Sequence, residues 1–399
     1  MRLAIFWHDI LHYHAARIAA LLSLAEQTGN TVQAFILCSA SSERPSYEYH
    51  TAIKDKIKVL SEDPSVAGEF SRHSKRQLLT ELDRFNPDVV AIIGYTGCVS
   101  RAALAWCRYH RRGAILMLSS HATDYKRVWW KEWPKARLVS LYDAAFVSGK
   151  PQAAYARQLG LPPERIVSGY GVVDNNFWRD GAALARANRV PWRNHHVNLE
   201  HFFLTACRFV PKKNLTGLVN AYAKYVAQAG SNPWSLVIVG DGKLAPVLQQ
   251  QVAELNLAHL VHFPGYLSAD EMAKVYGLAS AFVLASAYAE QWGLVVNEAM
   301  AAGLPVLVSH ICGCVPDLVI EGETGFRFDP TNEQQLAELF LRCSTGKIEL
   351  TEMGRQAQAH IQHYSPEKFA QNLFAAAHIA IKHAHSRRWQ IWPSPPLWF

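Results

Sequence analysis

The sequence lacks any long hydrophobic run. Half of its 399 residues are apolar, yet no stretch approaches the roughly 18–20 uninterrupted apolar residues that a membrane-spanning helix requires. His8 and Asp9 interrupt the short apolar stretch at the start, so we expect a first β-strand there and no secretory signal peptide. The length and the apolar fraction together predict two globular domains with cores of ordinary size.

Cysteine is scarce, and its pattern argues against a disulfide framework. The seven cysteines are an odd, scattered set, which indicates a reducing, cytoplasmic compartment. Cys312 and Cys314 form a lone C-x-C motif, for which a pair of loop cysteines is favoured over a metal site. His8, His12 and His14 also lie close together, but this spacing does not bring three imidazoles reliably to one ion. We therefore expect no metal and no cofactor.

Acidic residues are nearly absent from residues 101–137. This region holds nine Lys and Arg against two acids, and tryptophans alternate with the bases in YKRVWWKEWPKAR, residues 125–137. Tryptophan beside Lys or Arg is typical of a membrane–water interface with anionic lipid. The alternative is a solvated helix whose tryptophans face the core, and the sequence leaves both open. No nucleic-acid motif accompanies the region, so nucleic acid is not expected as a partner.

Short apolar runs alternate with helical patterns along the whole chain. Strands are predicted at 3–7, 31–38, 88–94, 114–119 and 144–149, and again at 203–209, 235–240, 260–265, 281–286 and 305–309. Helical patterns separate them, which predicts βαβ units and parallel sheets. The runs are apolar throughout, as expected for strands covered on both faces.

This rhythm predicts an α/β protein of two doubly wound, Rossmann-like domains that face each other across a cleft. We expect a first domain at 1–180 and a second at 200–365, joined by a polar linker at 179–201. Ser365 and Pro366 have the N-cap and first-turn character of a helix start. The last segment, 366–399, is expected to cross back to the first domain. Ligands of such sheets bind outside the carboxyl ends of the strands.

Two acids and two bases stand out at such strand ends. Glu290 and Glu298 lie eight residues apart in EQWGLVVNEAMAAG, and Arg208 and Lys213 lie five apart in CRFVPKKN. Carboxylates can accept hydrogen bonds from sugar hydroxyls, and paired cations can bind a diphosphate. The combination indicates a nucleotide-sugar site, although each residue alone could be an ordinary surface charge.

A departing nucleoside diphosphate needs its negative charge stabilised. A divalent metal held by an Asp-x-Asp pair is one solution, but the sequence contains no Asp-x-Asp. Cationic side chains and helix N-terminal amides are the other. Gly293 marks a predicted helix start, and Glu298 in the next turn leans back toward it. Gly240 and Asp241, in VGDGK, form a second glycine-rich turn that is equally compatible with a ligand contact and a plain strand–helix turn.

The ordered motifs resemble a known family. CRFVPKKN is followed by VIVGDG, HFPGYL, the E-x7-E segment, AGLPVLVS and EGETGF. In this order they resemble the donor domain of retaining glycosyltransferases of family 4, which have the GT-B fold. The first half resembles the acceptor domain of bacterial members through PDVVAIIGYTG, WWKEWPKARL, SGKPQAAYARQLGLPPERI and GYGVVDNNFW.

The resemblance implies a role for each matching position. Arg208 and Lys213 would bind the donor diphosphate, with the amides near Gly293 and Leu294. Glu290 would position the donor sugar. The remaining donor contacts would be Glu298 with the ribose and the backbone near Tyr266 and Leu267 with the base.

Two positions depart from the family pattern, and the role of His121 has an alternative. Relatives carry a glycine pair after the first strand, whereas residues 8–14 read HDILHYH. Asp317 stands where the family usually has Glu. His121 follows the strand predicted at 114–119, where members often place a mechanistic His, and a structural or acceptor-contact role is its alternative.

The sequence thus predicts a retaining, metal-independent glycosyltransferase. Its donor would be a nucleoside diphosphate sugar, most simply UDP-linked, and its acceptor a membrane-associated glycan or glycolipid. We expect it in the cytoplasm, peripheral at the inner face of the membrane. A non-catalytic sugar-nucleotide-binding protein and an epimerase on the same fold remain alternatives. A nicotinamide dehydrogenase is disfavoured because no G-x-G-x-x-G follows the first strand.

Overall fold

The structure, a computed structural model, describes residues 1–38, 53, 56–63, 65, 67–188 and 200–386. The chain divides into two compact units. The first comprises Met1–Ala122, Lys126–Val173 and the segment from Pro366 onward, and the second comprises Thr123–Tyr125 and Asp174–Ser365. The division before Asp174 differs from the boundary expected at residue 180.

The first unit contains one parallel sheet. Its strands are β1 (Arg2–Trp7), β2 (Thr31–Ile36), β3 (Ile57–Val59), β4 (Val89–Ile93), β5 (Gly113–Leu118), β6 (Ala144–Val147) and β7 (Ile166–Ser168). They are ordered β3-β2-β1-β4-β5-β6-β7. The helices that follow them are α1 (His12–Gln27), α2 (Arg72–Phe85), α3 (Cys98–Tyr109), α4 (Trp129–Val139) and α5 (Lys150–Gln158).

The second unit contains another parallel sheet. Its strands are β8 (Phe202–Ala206), β9 (Ser235–Val239), β10 (Val261–Gly265), β11 (Ala281–Leu284), β12 (Val306–Ser309) and β13 (Gly325–Phe328). The order β10-β9-β8-β11-β12-β13 is that of the doubly wound Rossmann fold. Its helices are α6 (Asn175–Asn188), α7 (Leu215–Val226), α8 (Ala245–Glu254), α9 (Ala269–Leu278), α10 (Leu294–Ala301), α11 (Val315–Leu318), α12 (Glu333–Ser344) and α13 (Leu350–Ile361).

The central strands confirm the expectation of sheets covered on both faces. Every residue of β5, β8 and β9 is buried, as apolar parallel strands between two helix layers require. Three strands were not expected from the sequence: β3, β7 and β13. Each is only three or four residues long and lies at an edge of its sheet. Such short segments carry too little apolar pattern to stand out.

The polar segment expected as a linker at 179–201 is helical over its first part. Helix α6 continues to Asn188 and buries Trp178, Ala182 and Ala185. Trp178 packs edge-to-face on Tyr276 of α9, with ring centroids 5.5 Å apart. The expectation of a linker from 179 was therefore wrong for residues 179–188, because the apolar contacts of α6 lie on a helix about a hundred residues later. Residues 189–199 lie outside the described part of the chain.

The last helix, α14 (Pro366–Ser386), packs in the first unit against α1 and the strands β5 to β7. Phe369 lies 5.1 Å from the ring of Phe146 in β6. The guanidinium of Arg17 in α1 is buried 5.6 Å from the Phe369 ring and donates to the carbonyl of Val172 at 2.7 Å. A segment that follows the second unit in sequence thus completes the core of the first. Residues 387–399 lie outside the described part.

Among the described residues, no helix combines the length and the apolar character needed to cross a bilayer.

The contact between α6 and α9 yields a stability prediction. A Cβ added at Gly277 would lie 2.4 Å from the carbonyl oxygen of Ala182. Alanine usually favours a helix over glycine by up to about 1 kcal/mol, but overpacking a close contact costs about 1–3 kcal/mol. We expect Gly277→Ala to lower the thermal unfolding midpoint. Lys274→Ala, on the exposed face of the same helix, is the matched control and should change stability by less than about 0.5 kcal/mol. An unchanged or raised midpoint for Gly277→Ala would contradict the close packing.

Candidate functional site

The candidate site lies where the strand order of the second sheet reverses. Strands β8 and β11 are neighbours there, although β9 and β10 come between them in sequence. The loop 207–214 leaves the carboxyl end of β8, and the loop 285–293 leaves the carboxyl end of β11. In doubly wound sheets the crevice at this reversal is the usual ligand site.

A buried ion pair joins these two loops. The Lys213 ammonium contacts Oε2 of Glu290, and only 12% and 10% of their side chains are exposed. Ser286 Oγ donates to the same carboxylate oxygen at 2.8 Å. The backbone N–H of Ala287 donates to the carbonyl of Lys212 at 2.8 Å, which fixes one loop against the other. The two predicted residues of opposite charge therefore meet, although they lie 77 positions apart.

The electrostatics of the pair keep Glu290 ionised. Burial opposes the charged form, but the Lys213 ammonium, with Lys212 and the Ser286 hydroxyl, outweighs it and holds the pKa of Glu290 below its usual range. Burial acts in the same direction on the neighbouring thiols, and there it outweighs the attraction of the lysines. It raises the pKa of Cys207 to about 12 and raises that of Cys312 as well. At neutral pH the site therefore contains a carboxylate and protonated thiols, so these cysteines are poor nucleophiles.

Helix α10 begins beside this pair because Gly293 permits it. Gly293 adopts φ +104°, and an added Cβ would lie 2.9 Å from Cδ2 of Leu284. Only glycine adopts this conformation without strain. The first amides of a helix have no intrahelical acceptor and form the positive end of its dipole. Leu294 and the amides after it therefore present a partial positive charge next to Glu290.

Glu298 lies in the second turn of the same helix and is buried. The Tyr276 hydroxyl of α9 donates to Oε2 of Glu298 at 3.0 Å. Burial, together with the adjacent carboxylate, raises the pKa of Tyr276 well above its usual value. Trp292 Nε1 donates to Oδ1 of Asn297 at 2.9 Å and orders the start of the helix. Glu298 is thus held in one orientation by a neighbouring helix.

The remaining predicted donor residues lie on adjoining loops. Arg208 is exposed on the loop after β8. Gly240 has φ +124°, and an added Cβ would lie 2.0 Å from the carbonyl oxygen of Cys207. The N–H of Phe209 donates to the carbonyl of Asp241 at 2.8 Å. The glycine-rich turn therefore supports the loop that carries Arg208, and the predicted ligand contact of Gly240 and Asp241 stays a prediction.

Tyr266 and Leu267 follow the carboxyl end of β10. This strand lies two positions from β8 in the sheet and runs parallel to it. Tyr266 is exposed. The next residue, Ser268, accepts a hydrogen bond from the N–H of Glu271 at 3.3 Å and caps α9. This cap fixes the position of the loop predicted to meet the base.

His121 belongs to the first unit and lies three residues beyond the end of β5. It is buried, and the guanidinium of Arg127 donates to the carbonyls of His121 and Ala122. These contacts hold the backbone of His121 within the first unit. Its mechanistic role stays a prediction. Asp317, the departure from the family pattern, is buried in α11, and its carbonyl accepts from the Tyr364 hydroxyl at 3.3 Å.

Of the three histidines near the start, His8 and His14 have separate local roles, and the side chain of His12 lies outside the described part of the chain. His14 Nδ1 accepts from the N–H of Leu11 at 3.2 Å, and its ring stacks on Trp7 at 5.0 Å. His8 Nε2 lies 3.7 Å from a carboxylate oxygen of Glu69. Within the described ranges, no group of three or more His, Cys, Asp or Glu is arranged to hold a metal.

Two site residues were not expected from the sequence. Ser286 is the first polar residue after β11 and four positions before Glu290, which is a weak local signal. Tyr276 lies in a different helix from Glu298, and no feature of the local sequence connects the two.

Comparison with known proteins identifies this unit. Residues 190–360 match the sequence family described as Glycosyl transferases group 1. These residues are similar to that family over somewhat less than half of the chain. The Lys213–Glu290 pair, α10 and the glycine-rich turn all fall within the matched residues, and the resemblance inferred from the ordered motifs is confirmed.

Individual relatives agree with this assignment. The GDP-mannose-dependent alpha-(1-6)-phosphatidylinositol monomannoside mannosyltransferase of Mycobacterium tuberculosis is 28% identical over 261 residues, 61% of this chain and 64% of that protein. The D-inositol 3-phosphate glycosyltransferase of Streptomyces avermitilis is 32% identical over 150 residues, 37% of this chain and 32% of that protein. The chain thus aligns with less than two thirds of the length of each.

A solved structure confirms the fold class. The Anabaena protein HepE in complex with UDP has a TM-score of 0.69 and 17% identity over 95% of this chain and 100% of its own. The two-domain, Rossmann-like α/β prediction of a GT-B fold is therefore correct.

The pKa of Glu290 leads to a pH-dependent prediction. A carboxylate whose pKa is lowered by folding stabilises the protein above its unfolded pKa, about 4.3, and this contribution disappears as the pH falls through the folded value. Removing one partner of a buried pair costs about 3–5 kcal/mol. Glu290→Gln should therefore destabilise strongly near pH 7, and its difference from the wild type should shrink below about pH 4.3.

Chemical unfolding across this pH range measures the effect. Glu323→Gln, which changes an exposed acid of the same unit, is the control and should follow the wild type at every pH. A pH-independent difference between Glu290→Gln and the wild type would show that the ion pair is not the source of the stability.

Proposed function

We propose that this protein is a retaining, metal-independent glycosyltransferase that moves a sugar from a UDP-linked donor to a hydroxyl acceptor. The observation that supports this most is the buried Lys213–Glu290 pair at the strand-order reversal of the second sheet, within the residues that match the glycosyltransferase family. The pair combines a cation for the diphosphate with a carboxylate for sugar hydroxyls in one place.

Leaving-group stabilisation is assigned to Arg208, Lys213 and the first amides of α10. The bond between sugar and diphosphate breaks as negative charge develops on the departing phosphate oxygen. Charge-assisted hydrogen bonds to such oxygens contribute about 1.5–3 kcal/mol each. Arg208 and Lys213 lie on one loop, and Leu294 begins the helix beside it. This arrangement supplies positive charge from two side chains of one loop and from the start of one helix.

Donor orientation is assigned to the two carboxylates. Glu290 stays ionised, and one of its oxygens is occupied by Lys213 and Ser286. The ionised carboxylate of Glu290 is assigned to hydroxyls of the donor sugar. Glu298, oriented by Tyr276, is assigned to the ribose hydroxyls. The backbone at Tyr266 and Leu267 is assigned to the base, with Gly240 and Asp241 beside it.

UDP is favoured as the nucleotide because HepE, which shares the fold, was solved with UDP and with UDP-glucose. The Mycobacterium tuberculosis relative is named as GDP-mannose-dependent, so GDP is the competitor to be tested. Metal independence is proposed because the chain offers cations of its own at the diphosphate position and the sequence contains no Asp-x-Asp. No cofactor is proposed.

The acceptor is proposed to be a glycan or glycolipid precursor at the cytoplasmic face of a membrane. The basic, aromatic region 101–137 supports this choice. The Mycobacterium tuberculosis relative is named for a phosphatidylinositol monomannoside acceptor. We assign His121 to the reaction on the acceptor side, as the family resemblance implies.

Donor titration tests the site assignment. Calorimetry with UDP, GDP, ADP and their sugars should show binding of UDP compounds, and binding of none would contradict the proposal. Arg208→Ala and Glu298→Gln should each weaken UDP-sugar binding about 10- to 100-fold, since each removes a charge-assisted hydrogen bond. Lys347→Ala, which removes an exposed lysine after α12, should leave the affinity unchanged. Wild-type affinity in both site variants would refute the assignment.

Product analysis tests the reaction. Incubation with UDP-sugar should release UDP, transfer the sugar with its anomeric configuration retained in NMR spectra, and proceed at an unchanged rate with EDTA. An inverted product would contradict retention, and loss of activity with EDTA that Mg²⁺ restores would contradict metal independence. Binding without any turnover would favour a non-catalytic binding protein, and an epimerised nucleotide sugar would favour an epimerase.

A further inference from the structure

Three tryptophans of α4 face solvent. Trp129 is 81% exposed, and Trp130 and Trp133 are each 57% exposed. The sequence left open whether these tryptophans face the core, and the structure contradicts that alternative. Large aromatic side chains are normally buried, and an exposed apolar cluster of this kind usually marks an interaction surface.

The tryptophans share one face with a cation. At about 100° per residue, Trp129, Trp133, Arg137 and Trp130 fall within an arc of about 100°. The Arg137 guanidinium carbon lies 4.3 Å from the Trp133 ring centroid. The Lys131 ammonium lies 5.0 Å from the Trp130 ring centroid. We call Trp129, Trp130, Trp133 and Arg137 the tryptophan face.

The acidic side chain of α4, Glu132, does not belong to the tryptophan face. Glu132 is the one acid in the sequence of α4. It accepts from the Tyr155 hydroxyl at 2.6 Å and from Lys135 at 2.6 Å. Val139 is buried, and Ala136 and Leu138 pack against the core of the first unit. The inner side of α4 is thus anchored by apolar contacts and an ion pair, which leaves the outer side aromatic and positively charged.

We propose that the tryptophan face inserts into the headgroup layer of an anionic bilayer and holds the first unit on the membrane. Indole rings favour the membrane–water interface, and Lys and Arg beside them are attracted to anionic headgroups. An apolar protein partner would not select for the cations Arg137 and Lys131, which lie against Trp133 and Trp130. The proposal deepens the proposed function, because it names the surface through which a lipid-linked acceptor would be reached.

Vesicle flotation tests the proposal with the full chain. The wild type should float with vesicles of phosphatidylglycerol and phosphatidylcholine at low salt and much less with phosphatidylcholine alone. The triple variant W129S/W130S/W133S should lose about tenfold or more in partitioning. The double variant K131Q/R137Q should lose the salt-sensitive part of its partitioning onto anionic vesicles. Each cation near an anionic surface raises the partition coefficient about fivefold. Phe70 and Tyr109 are 70% and 85% exposed in the same unit, and F70S/Y109S should float like the wild type.

Three outcomes would overturn the proposal. One is wild-type flotation of the triple variant, and another is no binding of the wild type to anionic vesicles. The third is that the wild type forms a dimer or a nucleic-acid complex, and that the triple variant loses this assembly but floats as well as the wild type. Circular dichroism checks that each variant is folded. UDP binding measured on the same proteins separates this proposal from the proposed function, because a loss of flotation with intact UDP binding concerns the tryptophan face alone.

Discussion

The structure of the candidate site depends on one buried ion pair between two loops that are far apart in sequence. Removing Lys213 and Glu290 from water has a high cost, which only a close contact and further hydrogen bonds can offset. Ser286 supplies one of these bonds, and the backbone contact from Ala287 to Lys212 holds the loops in register. The fold must therefore place β8 beside β11, and the doubly wound strand order does so.

Backbone conformation near the pair is correspondingly constrained. Asn214, which follows Lys213, and Ala289, which precedes Glu290, both adopt positive φ, of 52° and 53°. Such conformations are uncommon for residues with a side chain. A third loop contributes as well, since the N–H of Gly313 donates to the carbonyl of Glu290 at 3.0 Å. The carboxylate is thus held by the strand ends around it, which favours a binding role that needs a fixed geometry.

Much of the fold and part of the site could be predicted from the sequence. The ten short apolar runs predict β10 and the strands that are not at a sheet edge, because strands covered on both faces need no polar alternation. Lys213 and Glu290 could be assigned to one site because Lys213 follows the carboxyl end of β8 and Glu290 follows that of β11. Tyr276 could not be connected with Glu298, and α6 could not be recognised as a helix, because in both cases the partner lies in a distant segment. The direction of the tryptophans in α4 depends on the contact of Glu132 with Tyr155 and on the burial of Val139, and the local sequence shows neither.

A crystal structure of the protein with bound UDP-sugar tests the central claim most directly. We predict that diphosphate oxygens lie within about 3 Å of the side-chain nitrogens of Arg208 and Lys213, with the sugar against Glu290. A nucleotide bound at another place, with the ion pair unchanged and the loop 207–214 without a ligand contact, would contradict the claim that this pair forms the donor site.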